Sequence, residues 1–259
     1  PLAEATLESV CAKVPDSRLK PPAELESLID TTPEARVRHA RGQSLADWLA
    51  MRSGEFGVFP DGVAFPTTSD EVQALLAWAA EQTIHLIPYG GGTSVAGHIN
   101  PLDKGKPVLT VDMGKMNRLM DLDGESQIAT FGAGTPGPLV ESQLRAHGYT
   151  LGHFPQSFEL STVGGWVASR SSGQQSLRYG RIEQLFAGGR VETLQGTLDL
   201  PTIAASSAAP DSREMILGSE GRIGLLPQVH VRVTPLPDHQ TLPMAFFPAW
   251  PSARTHRRQ

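Results

Sequence analysis

The chain has 259 residues, 39% of them hydrophobic, with 26 glycines, 21 prolines and a net charge of −5 at pH 7. With glycine counted, the apolar share is that of an ordinary globular protein, which excludes fibrous and disordered classes. The acidic balance also argues against nucleic-acid binding, which rests on neutralising phosphates. The single cysteine, Cys11, excludes an internal disulfide and a cysteine-cluster metal site, so no metal is expected.

The first 53 residues are polar and helix-leaning, broken at Pro21–Pro22 and Pro33. The start, PLAEATLESV, shows no basic region leading into an apolar stretch, and no apolar run approaches the roughly 20 residues of a membrane span, so the expectation is a cytoplasmic protein. Ser44 can cap a helix over 44–52, with Leu45, Trp48 and Leu49 at i, i+3, i+4. A loop, GEFGVFPDG, and a short strand, VAFP, follow. Ser69 can cap the helix DEVQALLAWAAEQ, whose Val72, Leu75, Leu76 and Ala79 form an i, i+3, i+4, i+7 stripe. IHLIP (84–88) reads as a buried strand that runs straight into glycines, and VLTVDM (108–113) and QIATFGAG (127–134) as further strands. LVESQLRAHG is a short helix that Gly148 can terminate. Val229, Val231 and Val233 alternate with His230 and Arg232, a strand with one buried face. The tail PSARTHRRQ has no apolar periodicity and is expected to lack order. This succession predicts an α+β chain in two lobes, without an internal repeat.

Three glycine-bearing stretches carry the chemistry. PYGGGTSVAG (88–97) comes directly off an apolar strand; three glycines leave backbone N–H groups free to converge on an anion, and Thr93 and Ser94 add hydroxyls. No Gly-Lys-Ser/Thr sequel follows, so it is not a Walker loop. FGAGTPG places Gly132, Gly134 and Gly137 in the G-x-G-x-x-G spacing between a strand and a helix, a nicotinamide-dinucleotide fingerprint on paper. Pro136 and Pro138 remove donors there, and no acid stands about 20 residues on for a ribose. PQSFELSTVGGWVASRSSG (155–173) is dense in hydroxyls, with Val163, Trp166 and Val167 embedded among them as signs of burial.

Four segments in order resemble the FAD-binding domain of vanillyl-alcohol-oxidase-type (p-cresol-methylhydroxylase-type) flavoproteins: RGQSLADWLAMRSGEFGVFPDGVAFP, PYGGGTSVAG, GHFPQSFELSTVGGWVASRSSGQQSLRYGRIE and GSEGRIGLL. Within that group the chain looks most like alkylglycerone-phosphate synthase and bacterial FAD-linked oxidases. The resemblance, from about Arg41 to Pro237, implies a two-lobed flavin domain over 54–237 (lobes about 54–115 and 116–237), a helical segment over 1–53, and a tail or the start of a substrate-binding cap over 238–259. It implies that Pro88, Tyr89, Gly90, Gly91, Gly92, Thr93, Ser94 and Val95 hold the FAD diphosphate. Gln156, Ser157, Phe158, Glu159, Leu160, Ser161 and Thr162 would line the diphosphate and flavin-side wall. Ser169, Arg170, Ser171 and Ser172 would surround the ribityl chain, and Glu220, Gly221, Arg222, Ile223, Gly224, Leu225 and Leu226 would run along the adenosine and ring region. No His or Cys in these loops stands out for covalent attachment, so the implied FAD is non-covalent. His98 and His153 are the histidines nearest the loops, and both read as structural. Arg222 stands where the family has Thr and reads as a solvated side chain.

The implied function is FAD-dependent oxidation of a small 2-hydroxy acid or alcohol, with catalytic residues unassigned. The alternatives are a synthase-like enzyme of ether-lipid synthesis, a flavin-binding module without activity of its own, and a nicotinamide-dependent dehydrogenase using FGAGTPG. The synthase reading expects an Arg before GSEG, where this chain has TIAASSAAPDSREM. The family's cap is expected to be missing. Leu242, Met244, Phe246, Phe247 and Trp250 then read as the stump of a first cap strand, and a homo-oligomer or a cap-supplying partner stays open.

Overall fold

A computed structural model describes residues 4–203, 207–208, 210–239, 241 and 244–256. The first lobe is a four-stranded sheet in the order β1-β2-β4-β3, built from β1 (Ile29–Asp30), β2 (Gly62–Ala64), β3 (His85–Tyr89) and β4 (Val108–Asp112). β4 runs parallel to both β2 and β3, and β1 is antiparallel to β2. β3 is thus an edge strand, which is where Pro88 is tolerated, since proline has no N–H for the ladder. Four helices precede or accompany this sheet: α1 (Leu7–Cys11), α2 (Ala23–Glu26), α3 (Pro33–Arg38) and α4 (Leu45–Ser53). The crossover from β2 to β3 is α5 (Ser69–Glu81), which buries Val72, Leu75, Leu76 and Ala79 as their spacing predicts. Its cap is Thr68 rather than Ser69: Thr68 Oγ1 accepts from Glu71 N–H at 3.2 Å, and the Glu71 carboxylate accepts from the backbone and hydroxyl of Thr67 in return.

The second lobe is a five-stranded antiparallel sheet in the order β5-β6-β10-β8-β9: β5 (Leu119–Asp123), β6 (Ile128–Gly132), β8 (Phe186–Thr193), β9 (Gly196–Leu200) and β10 (Leu225–Arg232). β7 (Tyr149–Thr150) and β11 (Thr234–Pro235) make a separate two-stranded ribbon. Val229 and Val231 are fully buried while His230 and Arg232 turn outward, as the alternation predicts. Against this sheet lie α6 (Gly137–Arg145), α7 (Val163–Ser169), α9 (Ile182–Leu185) and α10 (Ser212–Ile216), with Phe131, Leu144, Val163, Trp166 and Ile216 in the core, while α8 (Ser176–Tyr179) is a single turn that buries no residue. The hydroxyl-dense segment therefore contains a helix, α7, whose Val163, Trp166 and Val167 are buried.

Three sequence expectations change. Leu45, Trp48 and Leu49 do form a helix, but they are 78%, 53% and 61% exposed; α4 turns its apolar stripe outward and buries Asp47. The tail is not without order, because α11 (Trp250–His256) occupies part of it. No strand is found over 244–249, so the cap-strand reading is not met there; Leu242 and residues 257–259 lie outside the described residues. No described helix is long and apolar enough to cross a membrane.

The two lobes are tied by a buried carboxylate. Glu192 on β8 is 0% exposed and accepts from Gln73 of α5 at 2.6 Å, Thr197 of β9 at 2.8 Å and Arg190 of its own strand. Burial alone would raise this carboxyl, but those three donors outweigh it and hold the group below 4.5, so it is ionised at neutral pH. Glu192→Ala leaves Gln73 and Thr197 without their acceptor, although Arg190 can turn to water. We expect a loss of about 2 kcal/mol in chemical denaturation of the ligand-free chain. An unchanged midpoint would show that the two lobes are held by apolar packing alone.

Candidate functional site

The carboxyl end of β3 opens into the loop 90–100, and a cleft of about 360 Å³ lies between this loop, α7 with the segment before it, and the turn before β10. A cleft of that size falls in the range of small-ligand sites. Its walls interlock at glycines. A Cβ on Gly90 would strike the Thr162 hydroxyl, one on Gly91 the Leu160 carbonyl, and one on Gly221 the Pro88 ring. The three loops thus approach closer than any other residue type allows.

The donors of the loop are free. The N–H groups of Gly91, Gly92, Thr93, Ser94 and Val95 reach no acceptor among the described residues, and all five residues line the cleft. The FGAGTPG segment is the opposite case. Gly132 N–H donates to Arg118 O at 3.0 Å, Gly134 N–H to Met116 O at 3.0 Å and Gly137 N–H to Ser161 O at 3.1 Å. Its glycines serve packing: a Cβ on Gly132 or Gly134 would strike the carbonyls of Met116 or Met113, and one on Gly137 would strike Phe158. A G-x-G-x-x-G whose amides are all spent inside the chain cannot cradle a pyrophosphate, so the nicotinamide alternative loses its site.

Of the residues expected to touch a ligand, Pro88, Tyr89, Gly90, Ser157, Ser161, Thr162, Ser169, Ser171, Glu220, Gly221, Gly224 and Leu226 also line the cleft. The others stand outside it. Gln156, Glu159 and Ser172 point to solvent, and Leu160, 63% exposed, contributes only its carbonyl behind Gly91. Phe158 packs against Phe154, with ring centroids 4.9 Å apart, and against the second-lobe core. Arg170 is drawn away by Glu214 at 2.6 Å and Glu183 at 3.2 Å. Arg222 is exposed beside Glu220, Ile223 is at the surface, and Leu225 is buried in the first-lobe core. Sequence reasoning missed Met113 and Ala133, which sit just past the ends of β4 and β6 without a local signal, and Ala168 of α7; Gly164 and Gly165, read from the sequence as bare backbone suited to a ligand, do line the cleft. Ala168 lies one helical turn after these two glycines, beside the buried Val163 and Trp166, a pattern that was legible. In the stretch TIAASSAAPDSREM, residues 204–206 and 209 lie outside the described residues; its Arg213 is held by Asp211 at 2.6 Å and by the carbonyls of Ala187 and Ile203.

Side chains along the cleft are almost free of charge. Glu220 alone carries a formal charge there; its carboxylate lies 3.6 Å from His98 Nδ1, which is 3.1 Å from Ser94 Oγ. Among the described residues no Lys or Arg lines the cleft, so the polar groups it offers an anion are backbone N–H groups and hydroxyls. Tyr89 is pushed up to about 12 by burial and the nearby Asp112, which keeps the phenol protonated. His153 is fully buried, its ring against Trp166 and its Nε2 2.7 Å from Ser171 Oγ, which faces the cleft. Among the described residues no group of His, Cys, Asp and Glu could hold a metal ion.

Comparison with known proteins adds four findings. The family described as "FAD binding domain" matches residues 60–199. The alkyldihydroxyacetonephosphate synthase of Dictyostelium discoideum is 38% identical over 203 residues, 78% of this chain and 33% of that protein. An FAD-linked oxidoreductase of Escherichia coli K12 is 33% identical over 175 residues, 67% of this chain and 36% of that protein. A solved alkyldihydroxyacetonephosphate synthase superposes with a TM-score of 0.83 at 33% identity, covering 92% of this chain and 46% of the other. The chain thus spans about a third of the length of these two relatives.

Burial lowers His153 from 6.5 to about 4, so the folded chain excludes a proton that the unfolded chain binds. The unfolded state then holds more protons between these two values, and stability rises with pH across that window. Taking the ligand-free chain from pH 6.5 to 5 should remove up to about 2 kcal/mol through this group alone. His153→Phe should flatten that part of the denaturation-against-pH profile. An identical slope in wild type and variant would mean that His153 is protonated in the fold.

Proposed function

This chain belongs to the FAD binding domain family, and from that premise we propose that its cleft seats FAD, with the diphosphate on the free N–H groups of Gly91 to Val95. The observation that carries this seat is the contrast between the two glycine loops: one spends every amide inside the chain, and the other leaves five in a row without an acceptor among the described residues, on residues that line the cleft. Peptide dipoles converging on an oxyanion need no cationic side chain, which accords with a lining that has none. The hydroxyls of Ser157, Ser169 and Ser171 supply donors and acceptors for the sugar-like part of the cofactor, and His153 fixes the rotamer of Ser171 from behind. Small residues on α7, Gly164, Gly165 and Ala168, let a flat ring lie against the helix backbone. His98, a histidine on the cleft wall, is engaged by Ser94 and Glu220, and we infer that the flavin is held without a covalent bond.

We assign residues 54–237 to the flavin-binding unit, with lobes of about 54–115 and 116–237. Bound FAD supplies an acceptor for the electron pair of an alcohol or 2-hydroxy acid, and the protein supplies position and exclusion of water. The oxidoreductase reading for the complete protein draws on the Escherichia coli relative. A second reading, a synthase-like reaction, is favoured by the likeness to the Dictyostelium protein and to the solved synthase. Turnover of 2-hydroxy acids against an assay for formation of alkyldihydroxyacetone phosphate separates the two.

The purified chain should bind one FAD and release all of it into the supernatant on acid precipitation. Yellow colour left in the pellet would overturn the non-covalent claim, and a chain that ignores added FAD would overturn the seat. Gly91→Ala places a methyl against the Leu160 carbonyl and forces the two loops apart. It should raise the FAD Kd at least about tenfold, the scale of one lost charge-assisted hydrogen bond.

A further inference from the structure

The stretch that precedes the matched family domain reaches the glycine loop through one buried carboxylate. Asp47 is 1% exposed. It accepts from Ser44 Oγ at 2.6 Å, from Ser44 N–H at 3.1 Å and from Asn100 Nδ2 at 2.6 Å, and Arg41 Nη1 stands 3.8 Å away. Asn100 offers its other amide atom, Oδ1, to Gly42 N–H at 2.9 Å. Gln43 N–H donates to the Ser94 carbonyl at 2.7 Å. Gly42 sits so close to that carbonyl that a Cβ would strike it. Residues 41–47 are thereby stitched to both ends of the 94–100 turn, the leg on which the glycine loop leaves the cleft.

Apolar packing does not hold this contact together, because Leu45, Trp48 and Leu49 of the same helix face outward. Burial would raise the Asp47 carboxyl, but hydrogen bonds from Ser44 and Asn100 and the charge of Arg41 outweigh it, so the group stays ionised. A buried charge keeps its partners because the alternative is a charge without solvent. A run of three glycines, by contrast, has more conformational freedom than any other run of residues. Five N–H groups on such a loop converge before a ligand arrives only if something outside the loop fixes its legs, and that preorganisation appears as affinity.

We propose that Asp47 is a positioning residue for the cofactor site: through Asn100 it presets the Gly91–Val95 leg, and so governs FAD affinity without touching FAD. This rests on the FAD reading above. It also places a determinant of the site outside residues 60–199, the part that defines the family match.

The test measures FAD Kd by flavin fluorescence, beside the unfolding midpoint of each ligand-free protein, for wild type, Asp47→Ala, Asp47→Asn, Asn100→Ala and the Asp47→Ala/Asn100→Ala double variant. Asp61→Ala serves as a comparator: Asp61, 3% exposed, accepts from Arg18 and from Val108 N–H at the start of β4, the end of the first sheet opposite the carboxyl end of β3 where the cleft opens. Each single change should raise Kd at least about tenfold, and the double should be no worse than its worse parent, since both act through one contact. Asp61→Ala should lower the midpoint and leave Kd within about twofold of wild type. If Asp47→Ala does not fold, Asp47→Asn and Asn100→Ala carry the test. Unchanged Kd in folded Asp47 variants, or a Kd rise in Asp61→Ala that matches theirs, would overturn the proposal while leaving the FAD reading intact. A wild-type chain that binds no FAD would instead remove the FAD reading, and this proposal with it.

Discussion

Five consecutive N–H groups, from Gly91 to Val95, have no acceptor within the described chain, and a folded backbone tolerates such a row only where water or a ligand takes it. The arrangement around the row follows from that need. The loop springs from the carboxyl end of an edge strand of a mostly parallel sheet, where ligands of such sheets collect. It must contain glycine at 90 and 91 because the segment 160–162 lies against it, and Gly221 closes the third side against Pro88. A cleft whose walls meet at glycines cannot also carry large cationic side chains, so its affinity for an anion falls to the peptide dipoles.

The second lobe holds its part of the wall through buried polar groups. Glu141, 6% exposed, accepts from Thr150 Oγ1 at 2.8 Å and from the N–H groups of Leu151 and Gly152 at 3.1 and 3.0 Å. That fixes the approach to His153, which in turn fixes Ser171. Glu192 ties the two sheets, and Asp47 ties the N-terminal stretch to the loop. In each case a carboxylate out of water selects one arrangement of its neighbours. The cleft is assembled from pieces far apart in sequence, so it gains its definition from such long-range contacts rather than from any one loop.

Much of this was legible in the sequence. The i, i+3, i+4, i+7 stripe of α5 and the alternation of β10 gave elements and burial together, because each periodicity belongs to one geometry. The triple glycine after an apolar strand was read as an anion seat, and the structure places its residues along the cleft. Other features were hidden for physical reasons. The stripe of Leu45, Trp48 and Leu49 announced a helix but not which face it buries; a carboxylate with enough partners outcompeted three apolar side chains for the interior. FGAGTPG carried a dinucleotide spacing, and only the structure shows its amides already spent. Phe158, Arg170 and Leu225 lie within matching segments, yet point into a core or toward Glu214, because neighbours in sequence on a strand or turn face opposite sides.

The most direct measurement of the central claim is the change in backbone amide resonances of the ligand-free chain on titration with ADP and, separately, with adenosine. ADP carries the diphosphate without the flavin, and adenosine lacks both. The account predicts downfield proton shifts of the Gly91 to Val95 amides with ADP and not with adenosine, while Gly132, Gly134 and Gly137 keep their positions. Shifts concentrated at Gly132 to Gly137, with Gly91 to Val95 unmoved, would contradict it.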